Sequence, residues 1–310
     1  MQWRKIFSEE RGNVTVLVAF ATAVLIGMAA LAVDVGIMFY NKACLVKAVD
    51  AAVLAGAQEL PLSPAQAVSQ AEYYATRNGV GSNEVSFSVS CDKKTITGTA
   101  QNTVELFFAR VFGFNTQDLT ATSKARVSPV TSYTGIVPFG IEDQNYSLGQ
   151  IVTLKQGSCS ESISGWFGAL RLGGNGADNY RSNIKYGYQA PIAVGDVLQV
   201  EPGNMSGPTS QGIAHRIDGC NHSPGCSISS YKEGCPRIVI APIGYNNGRS
   251  GANGRFTVTG FAAFIITEYT GSGNNNTVRG AFIRYVIPSN DAEDGLDVED
   301  FGLYSARLTQ

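Results

Sequence analysis

Charge and histidine are both scarce in this chain of 310 residues. Only 15% of the residues are charged and the net charge is −2, so the chain lacks the basic surface with which proteins bind nucleic acid. It has only two histidines, His215 and His222, and neither belongs to a recognised hydrolase motif. We therefore expect no nucleic-acid partner, no cofactor and no enzyme activity.

The longest stretch without any charge runs from Val14 to Val33. A helix of about 20 residues is about 30 Å long, which is the thickness of the hydrocarbon core of a bilayer. A helix in a soluble protein normally places charged or polar residues on the side that meets water, and this stretch has no such side. The sequence therefore predicts a membrane span from Val14 to Val33.

The leader before this span bears on whether the span is retained. Ala30-Leu31-Ala32 would allow a signal peptidase to cut before Val33, but the run is longer than the usual apolar region of about 7–15 residues in a signal peptide. We expect the span to be retained, with a cytoplasmic N-terminus and the C-terminal domain outside the cell, because basic leaders stay in the cytoplasm. The charged leader residues are Arg4, Lys5 and Arg11 against Glu9 and Glu10.

The helix is predicted to continue beyond the membrane. No proline occurs from Val35 to Ala57, and Gly56 and Pro61 mark the end. Small residues recur at helical spacing and would let another helix or a sheet approach closely. We expect one pilin-like helix of about 45 residues within region 1–60. The small-residue stripe consists of Ala48, Ala51, Ala52 and Ala55.

Residues 61–128 are predicted to form a small α-β-β-α-β unit. SPAQAVSQAEYYATRNG (63–79) has a serine cap, a proline in the first turn and an Asn-Gly stop. VSFSVS (85–90) and TITGTAQNTV (95–104) alternate as a hairpin does. LFFARVFG (106–113) is predicted to be a short helix, and LTATSKARV (119–127) the last strand.

Residues 129–290 are predicted to form an all-β domain, a sandwich or a barrel. Only ADNYRSNIKYGY (177–188) is ambiguous between helix and strand, and the acidic residues 291–310 are expected to form a solvated, mobile tail. The fold class is thus α+β, with a long N-terminal helix and a mainly β C-terminal domain. The predicted strands are 150–156, 168–172, 196–203, 237–245, 255–269 and 277–287.

Four of the six cysteines lie in the distal domain. Outside the cell the simplest expectation is disulfides among Cys159, Cys220, Cys226 and Cys235. A Cys₃His zinc site made of Cys220, His222, Cys226 and Cys235 is an alternative, but the spacing C-x-H-x₃-C-x₈-C lacks the paired C-x₂-C framework of common zinc sites. Free thiols are a third possibility.

Asp34 lies at the predicted outer end of the span. One expectation is that its carboxylate is simply hydrated. The alternative is that it pairs with a cation of a neighbouring subunit, because an unpaired carboxylate near lipid is costly.

The N-terminal residues resemble a known family. ERGNVTVLVAF, GMAALAVDVG and NKACLVKAVDAAVLAGA are similar to the N-terminal module of TadE/TadG-like Flp pilus-assembly proteins, with Gly12 before the span, Asp34 at its outer end and an alanine-rich helix at 48–57. The distal stretches GALRLGGNGADNY, VGDVLQVEPGNMSGPT and CPRIVIAPI are similar to ectodomains of Tad-domain proteins from Gram-positive bacteria.

This resemblance implies a membrane-anchored, pilin-like component of a Tad/Flp pilus or a related surface apparatus. Its implied partners are other pilin-like or Tad secretion-system membrane proteins, or further copies of itself in a filament. The predicted packing residues are Asp34, Ala48, Ala51, Ala52 and Ala55. Two other functions are an anchored carbohydrate- or surface-binding module and a zinc-dependent ectoenzyme.

Overall fold

The computed structural model describes residues 10–157, 168–249, 253–288, 292–295 and 298–309. Cys159, most of the leader and the acidic residues Asp291 and Asp297 lie outside the described residues. The chain divides into two compact units, the first comprising residues 1–126 and 308–310 and the second residues 127–307. The boundary predicted from the sequence lies at residue 128.

The elements follow one another in this order. The helices are α1 Glu10–Ala57, α2 Pro64–Arg77, α3 Ala177–Tyr186 and α4 Ser206–Asp218. The strands are β1 Val85–Val89, β2 Thr95–Glu105, β3 Thr116–Tyr133, β4 Ile141–Glu142, β5 Ile151–Gln156, β6 Leu170–Arg171, β7 Ile192–Ala193, β8 Val197–Val200, β9 Ile238–Asn246, β10 Arg255–Thr270, β11 Thr277–Ile283, β12 Tyr285–Pro288, β13 Ala292–Asp294 and β14 Leu303–Thr309.

The continuous helix predicted from the sequence is present as α1. It is the one helix of the described residues that is long and apolar enough to cross a membrane. The apolar part of α1 has a mean hydropathy of 2.6, and the described protein buries none of this part. Thr22 lies in this part, and its hydroxyl donates to the carbonyl of Val18, one turn earlier, at 2.8 Å. The one-turn bond keeps a polar group of the apolar stretch satisfied inside the helix.

The second half of α1 is covered by its own chain. It packs on α2 and on β2, and Ala48 and Ala52 of the small-residue stripe are buried. Ala51 and Ala55 are half-buried. The alanines on the other side of this contact are Ala67, Ala71 and Ala75 of α2. The stripe therefore joins elements of one chain, and the expectation that it packs other pilin-like helices is corrected for Ala48 and Ala52.

Three antiparallel strands complete the first unit. β1 pairs with β2 from Val85 opposite Ala100, and β2 pairs with β3 as far as Glu105 opposite Thr116. The segment predicted as a helix at 106–113 is only a short 3₁₀ turn, Ala109–Phe112. The turn is closed by Gly113 at φ +90°, a conformation that glycine adopts without steric cost, and the chain then enters β3.

The second unit is built on a sheet with the strand order β4-β9-β10-β11-β5. β10 is antiparallel to both of its long neighbours, β9 and β11, and side chains of β9 and β10 alternate between two apolar faces. One face packs against α3 and α4 through Tyr180, Ile184 and Ile213. The residues of β9 and β10 on that face are Val239, Ala241, Ile243, Ala262, Phe264 and Ile266.

The opposite face of this sheet is covered by other strands. Its side chains include Ile240, Ala263 and Ile265. They share one core with residues of β3, β7, β12 and β14, namely Val130, Ile192, Ile287 and Leu303. The central strands are thus buried on both faces, which explains the nearly continuous apolar run of β10.

Two helices interrupt the region that was predicted to be all-β. The ambiguous segment forms α3, and α4 was missed because Gly207, Pro208 and Gly212 make it a poor helix former. Its buried residues Thr209, Gly212, Ile213 and Arg216 have helical spacing. A Cβ on Gly212 would lie 2.5 Å from Ile184 Cγ2, so glycine allows α3 and α4 to approach closely.

The prediction of a solvated, mobile tail at 291–310 is also wrong. Residues 303–309 form β14, and Phe301, Leu303 and Tyr304 are buried. The Tyr304 hydroxyl donates to Asp300 Oδ2 at 2.9 Å. The acidic residues had suggested a solvated end, but the apolar residues after them complete a sheet.

We predict that Gly56→Ala destabilises the first unit. A Cβ at this position would lie 2.6 Å from the carbonyl oxygen of Ala67 and 2.8 Å from Ile96 Cδ1. The expected loss is about 1–2 kcal/mol, because the overpacking outweighs the helix propensity gained by alanine. Thermal unfolding of the full chain in detergent measures it. Gly36→Ala on the same helix is the control, since a Cβ there would meet no atom within 4 Å, and equal stability of the two variants would contradict the prediction.

Candidate functional site

The connection between β2 and β3 is an exposed apolar segment, residues 106–114, which we call the aromatic tip. Phe107, Phe112 and Phe114 are 62%, 82% and 66% exposed. Arg110 is its one charged residue, and Arg110 Nη2 lies 2.6 Å from Glu105 Oε2. An apolar surface of this kind on a short connection marks a site of contact with another apolar surface.

Asp34 of α1 holds the aromatic tip. Its Oδ1 accepts the backbone N–H of Phe107 at 2.9 Å, and its Oδ2 accepts those of Phe108 at 3.0 Å and Ala109 at 2.7 Å. The side chain is only 2% exposed. These charge-assisted hydrogen bonds compensate for the removal of the carboxylate from water.

This geometry corrects both expectations for Asp34. Because the side chain is buried, the carboxylate is not simply hydrated. Its partners are backbone amides of the same chain rather than a cation of a neighbouring subunit. The carboxylate acts as a cap for the 3₁₀ turn, supplied from a distant part of the sequence.

The hairpin of β2 and β3 runs along α1 toward its apolar half. Gly98 of β2 lies beside Val53, since a Cβ there would be 2.9 Å from Val53 Cγ1. From Val53 to Asp34 the helix extends about 29 Å, and from Gly98 to Phe107 an extended strand covers about 30 Å. Between these ends, Lys42 Nζ donates to the carbonyl of Thr120 in β3. Contacts at three levels thus keep the hairpin alongside the helix.

The aromatic tip therefore lies at the level of α1 where the apolar run ends. Val33 is 48% exposed at this level, and Val14 near the start of the run is 63% exposed. Phe39 and Tyr40 follow nearly two turns later and are also exposed. Aromatic side chains at the end of an apolar helix are typical of the boundary between membrane and water.

The second cluster of predicted residues lies in the second unit. Cys220, His222, Cys226 and Cys235 come together on the connection between α4 and β9, with their ligand atoms all within 4.8 Å of one another. None of the described cysteines is in a disulfide, and Cys44 and Cys91 are exposed elsewhere in the chain. The predicted pairings that involve Cys159 concern a residue outside the described ranges.

The thiols of this cluster differ in their acidity. A hydrogen bond from the backbone of Cys226, together with the bond to His222, lowers the pKa of Cys220 to about 6. Burial raises the pKa of Cys235 to about 11. Cys220 is therefore the more acidic of these two thiols, and Cys235 the less acidic.

Sequence reasoning missed the partner of Asp34. The aspartate and Phe107 are 73 residues apart, and no local pattern connects them. The available signal was the carboxylate itself, which lies at the end of a stretch without other charge. Such a carboxylate needs either a hydrogen-bond partner or water. The amides that satisfy it belong to a segment predicted as a helix.

The fold and this site define an α+β protein in which a membrane-capable helix is tied by a carboxylate to an aromatic hairpin tip. Residues 12–59 match the model of the Tad family of TadE/G-like Flp pilus-assembly proteins, which confirms the resemblance over α1. No curated protein and no solved structure matches the chain. The family match and the membrane-capable helix support a pilus-related membrane component.

We predict that Asp34→Asn loosens the aromatic tip. Asparagine has one acceptor oxygen and no charge, so at least one of the three amides loses its partner. Hydrogen bonds to a charged group contribute about 1.5–3 kcal/mol each, so hydrogen exchange at Phe107, Phe108 and Ala109 should become roughly tenfold faster or more. Exchange mass spectrometry of the full chain in detergent measures this.

Asp50→Asn on the same helix is the matched control, because it makes the same substitution at a half-buried aspartate about 24 Å further along α1. It should leave exchange at the tip unchanged. Equal exchange at the tip in both variants and in the unmodified chain would show that the three hydrogen bonds do not hold it.

Proposed function

We propose that the chain is a non-enzymatic, membrane-anchored, pilin-like component of Tad/Flp pilus assembly. The observation that carries the proposal is the coincidence of the family match, residues 12–59, with the helix that holds the membrane-capable run. The helix continues beyond that run and forms part of the first unit, so anchor and folded body share one rigid element. Such a continuous helix would hold the first unit at a fixed height above the membrane.

In this proposal the apolar run spans the membrane once, with the N-terminus in the cytoplasm and both units outside. No part of the apolar run is buried by the described protein, and this supports the span, since lipid would cover what the protein leaves uncovered. The basic residues of the leader favour the orientation. The aromatic tip then lies at the outer boundary and contacts lipid beside the helix.

Lipid is the contact that the aromatic tip fits best. The tip is continuous with the end of the apolar run because Asp34 connects the two. Its single charge is neutralised by Glu105 within the same hairpin. Phenylalanine side chains of peripheral segments bury at the boundary between headgroups and acyl chains, and the tip offers several such rings there.

Contact with other pilin-like helices takes place in this proposal through the apolar run. Part of the alanine stripe further along α1 is already covered by the chain itself. Within the run, a Cβ added at Gly27 would meet no atom within 4 Å, and Gly36 beyond the run is equally open. Small residues at open positions allow close packing of helices in lipid. The partners are other Tad-system membrane proteins or further copies of this chain.

The proposal is tested by labelling intact cells with a membrane-impermeant maleimide and mapping the labelled peptides. Cys91 is exposed on the connection between β1 and β2 and should be labelled on intact cells, with the chain in the membrane fraction. A cysteine introduced in the leader, Ser8→Cys, should be labelled only after lysis. Cells that lack the chain should yield no, or far fewer, pilus filaments on shearing.

Three results would contradict the proposal. Labelling of the Ser8→Cys leader on intact cells would reverse the orientation. A soluble chain in the culture medium that begins near Val33 would show that the span is removed as a signal. An unchanged yield of filaments from cells without the chain would remove its role in pilus assembly while leaving the anchor intact.

A further inference from the structure

We infer that Cys220, His222, Cys226 and Cys235 form a structural zinc site in the second unit. This inference does not depend on the proposed role in pilus assembly. The four residues offer three sulfur atoms and one imidazole nitrogen, all within 4.8 Å of one another. Thiolate and imidazole ligands in a group of four are the donor set that tetrahedral zinc takes in structural sites.

The distances fit a tetrahedron around one ion. His222 Nδ1 lies 3.7 Å from Cys220 Sγ and 3.3 Å from Cys226 Sγ, and Cys220 Sγ lies 3.5 Å from Cys235 Sγ. With Zn–S bonds of about 2.3 Å and Zn–N bonds of about 2.0–2.1 Å, tetrahedral ligands are separated by about 3.6 Å (S to N) and about 3.8 Å (S to S). These three distances differ from the tetrahedral values by only a few tenths of an ångström. The remaining ligand atoms lie within 4.8 Å of one another, so a shift of at most about 1 Å would bring all four to the metal.

The backbone around the ligands is arranged as a support for them. The N–H of Lys232 donates to Cys226 Sγ at 3.4 Å, which stabilises a thiolate at that position. The Arg237 guanidinium donates to the carbonyl of Cys226 at 2.8 Å and to that of Ile266 in β10. The loop that carries Cys226 is thereby fastened to the sheet, and the cysteine cannot easily turn away from the others.

The cluster lies against the hydrophobic core of the second unit. Cys226 and Cys235 are 4% and 2% exposed and belong to the core on one face of the sheet. The connection from 219 to 237 contains no regular helix or strand, although it is longer than most loops in compact domains. A metal bound by both ends and the middle of this connection would replace the missing regular structure.

The number of protein ligands distinguishes a structural zinc site from a catalytic one. A catalytic zinc keeps a position open for water or substrate, whereas a site with four cysteine and histidine ligands is closed. The cluster therefore fits a role in stability better than the zinc-dependent ectoenzyme considered from the sequence. A disulfide between Cys220 and Cys235 is the competing arrangement, and it would leave Cys226 and His222 without a shared role.

The test measures the metal content of the full chain, purified in detergent after growth in medium containing zinc. We expect about one zinc per chain by elemental analysis. Cys226→Ser and His222→Ala should each lower this content at least tenfold, because each removes one of four ligands. Cys44→Ser and Cys91→Ser are matched controls, since both remove exposed cysteines outside the cluster, and they should retain the zinc.

A second measurement covers the case in which a ligand variant does not fold. The unmodified chain, reduced and freed of metal, should develop the absorption bands of tetrahedral, thiolate-bound cobalt when Co²⁺ is added. Metal-free protein that shows no such bands would overturn the inference. So would a disulfide linking Cys220 and Cys235 in the purified chain, or zinc content that falls equally in Cys44→Ser and Cys226→Ser.

Discussion

The structure of the first unit depends on one buried carboxylate. Asp34 terminates an apolar run, and a charge in that position must be either hydrated or fully hydrogen-bonded. Three consecutive amides of the hairpin satisfy it, and this contact fixes where β2 turns into β3. The close approach of β2 to α1 at Gly98 and the bond from Lys42 set the direction of the hairpin. The exposed phenylalanines at the end of the apolar run are the consequence of this arrangement.

Much of the first unit could be predicted from the sequence because its signals are local. The absence of charge and proline predicts α1, and the serine cap with the following proline predicts α2, whose Ser63 Oγ accepts the N–H of Gln66. The tip could not be predicted, since residues 106–113 were expected to form a short helix and nothing local indicates their partner. Its conformation is decided by Asp34, far away in sequence. The same holds for the alanine stripe, whose partner α2 no local pattern identifies.

The second unit shows how tertiary packing overrides local preference. The β-strands were recognised because alternation and β-branched residues are strong signals, but α4 forms in spite of two glycines and a proline. Its helical face is buried on α3, and that burial stabilises a helix that its own residues disfavour. The Cys/His cluster was only one of three alternatives in the sequence, because its spacing lacks a paired motif. Only the fold shows that all four ligand atoms meet.

The most direct test of the central claim is the depth of the aromatic tip in a bilayer. The full chain is placed in nanodiscs with lipids that carry a quencher near the headgroups, with Phe112→Trp as the reporter and Trp3 and Trp166 replaced by phenylalanine. Strong quenching is expected for Phe112→Trp and loss of it when Asp34→Asn is added. Tyr73→Trp is the control, because α2 contacts α1 at Gly56, about 33 Å from Asp34. Equal quenching at positions 112 and 73 would contradict the account.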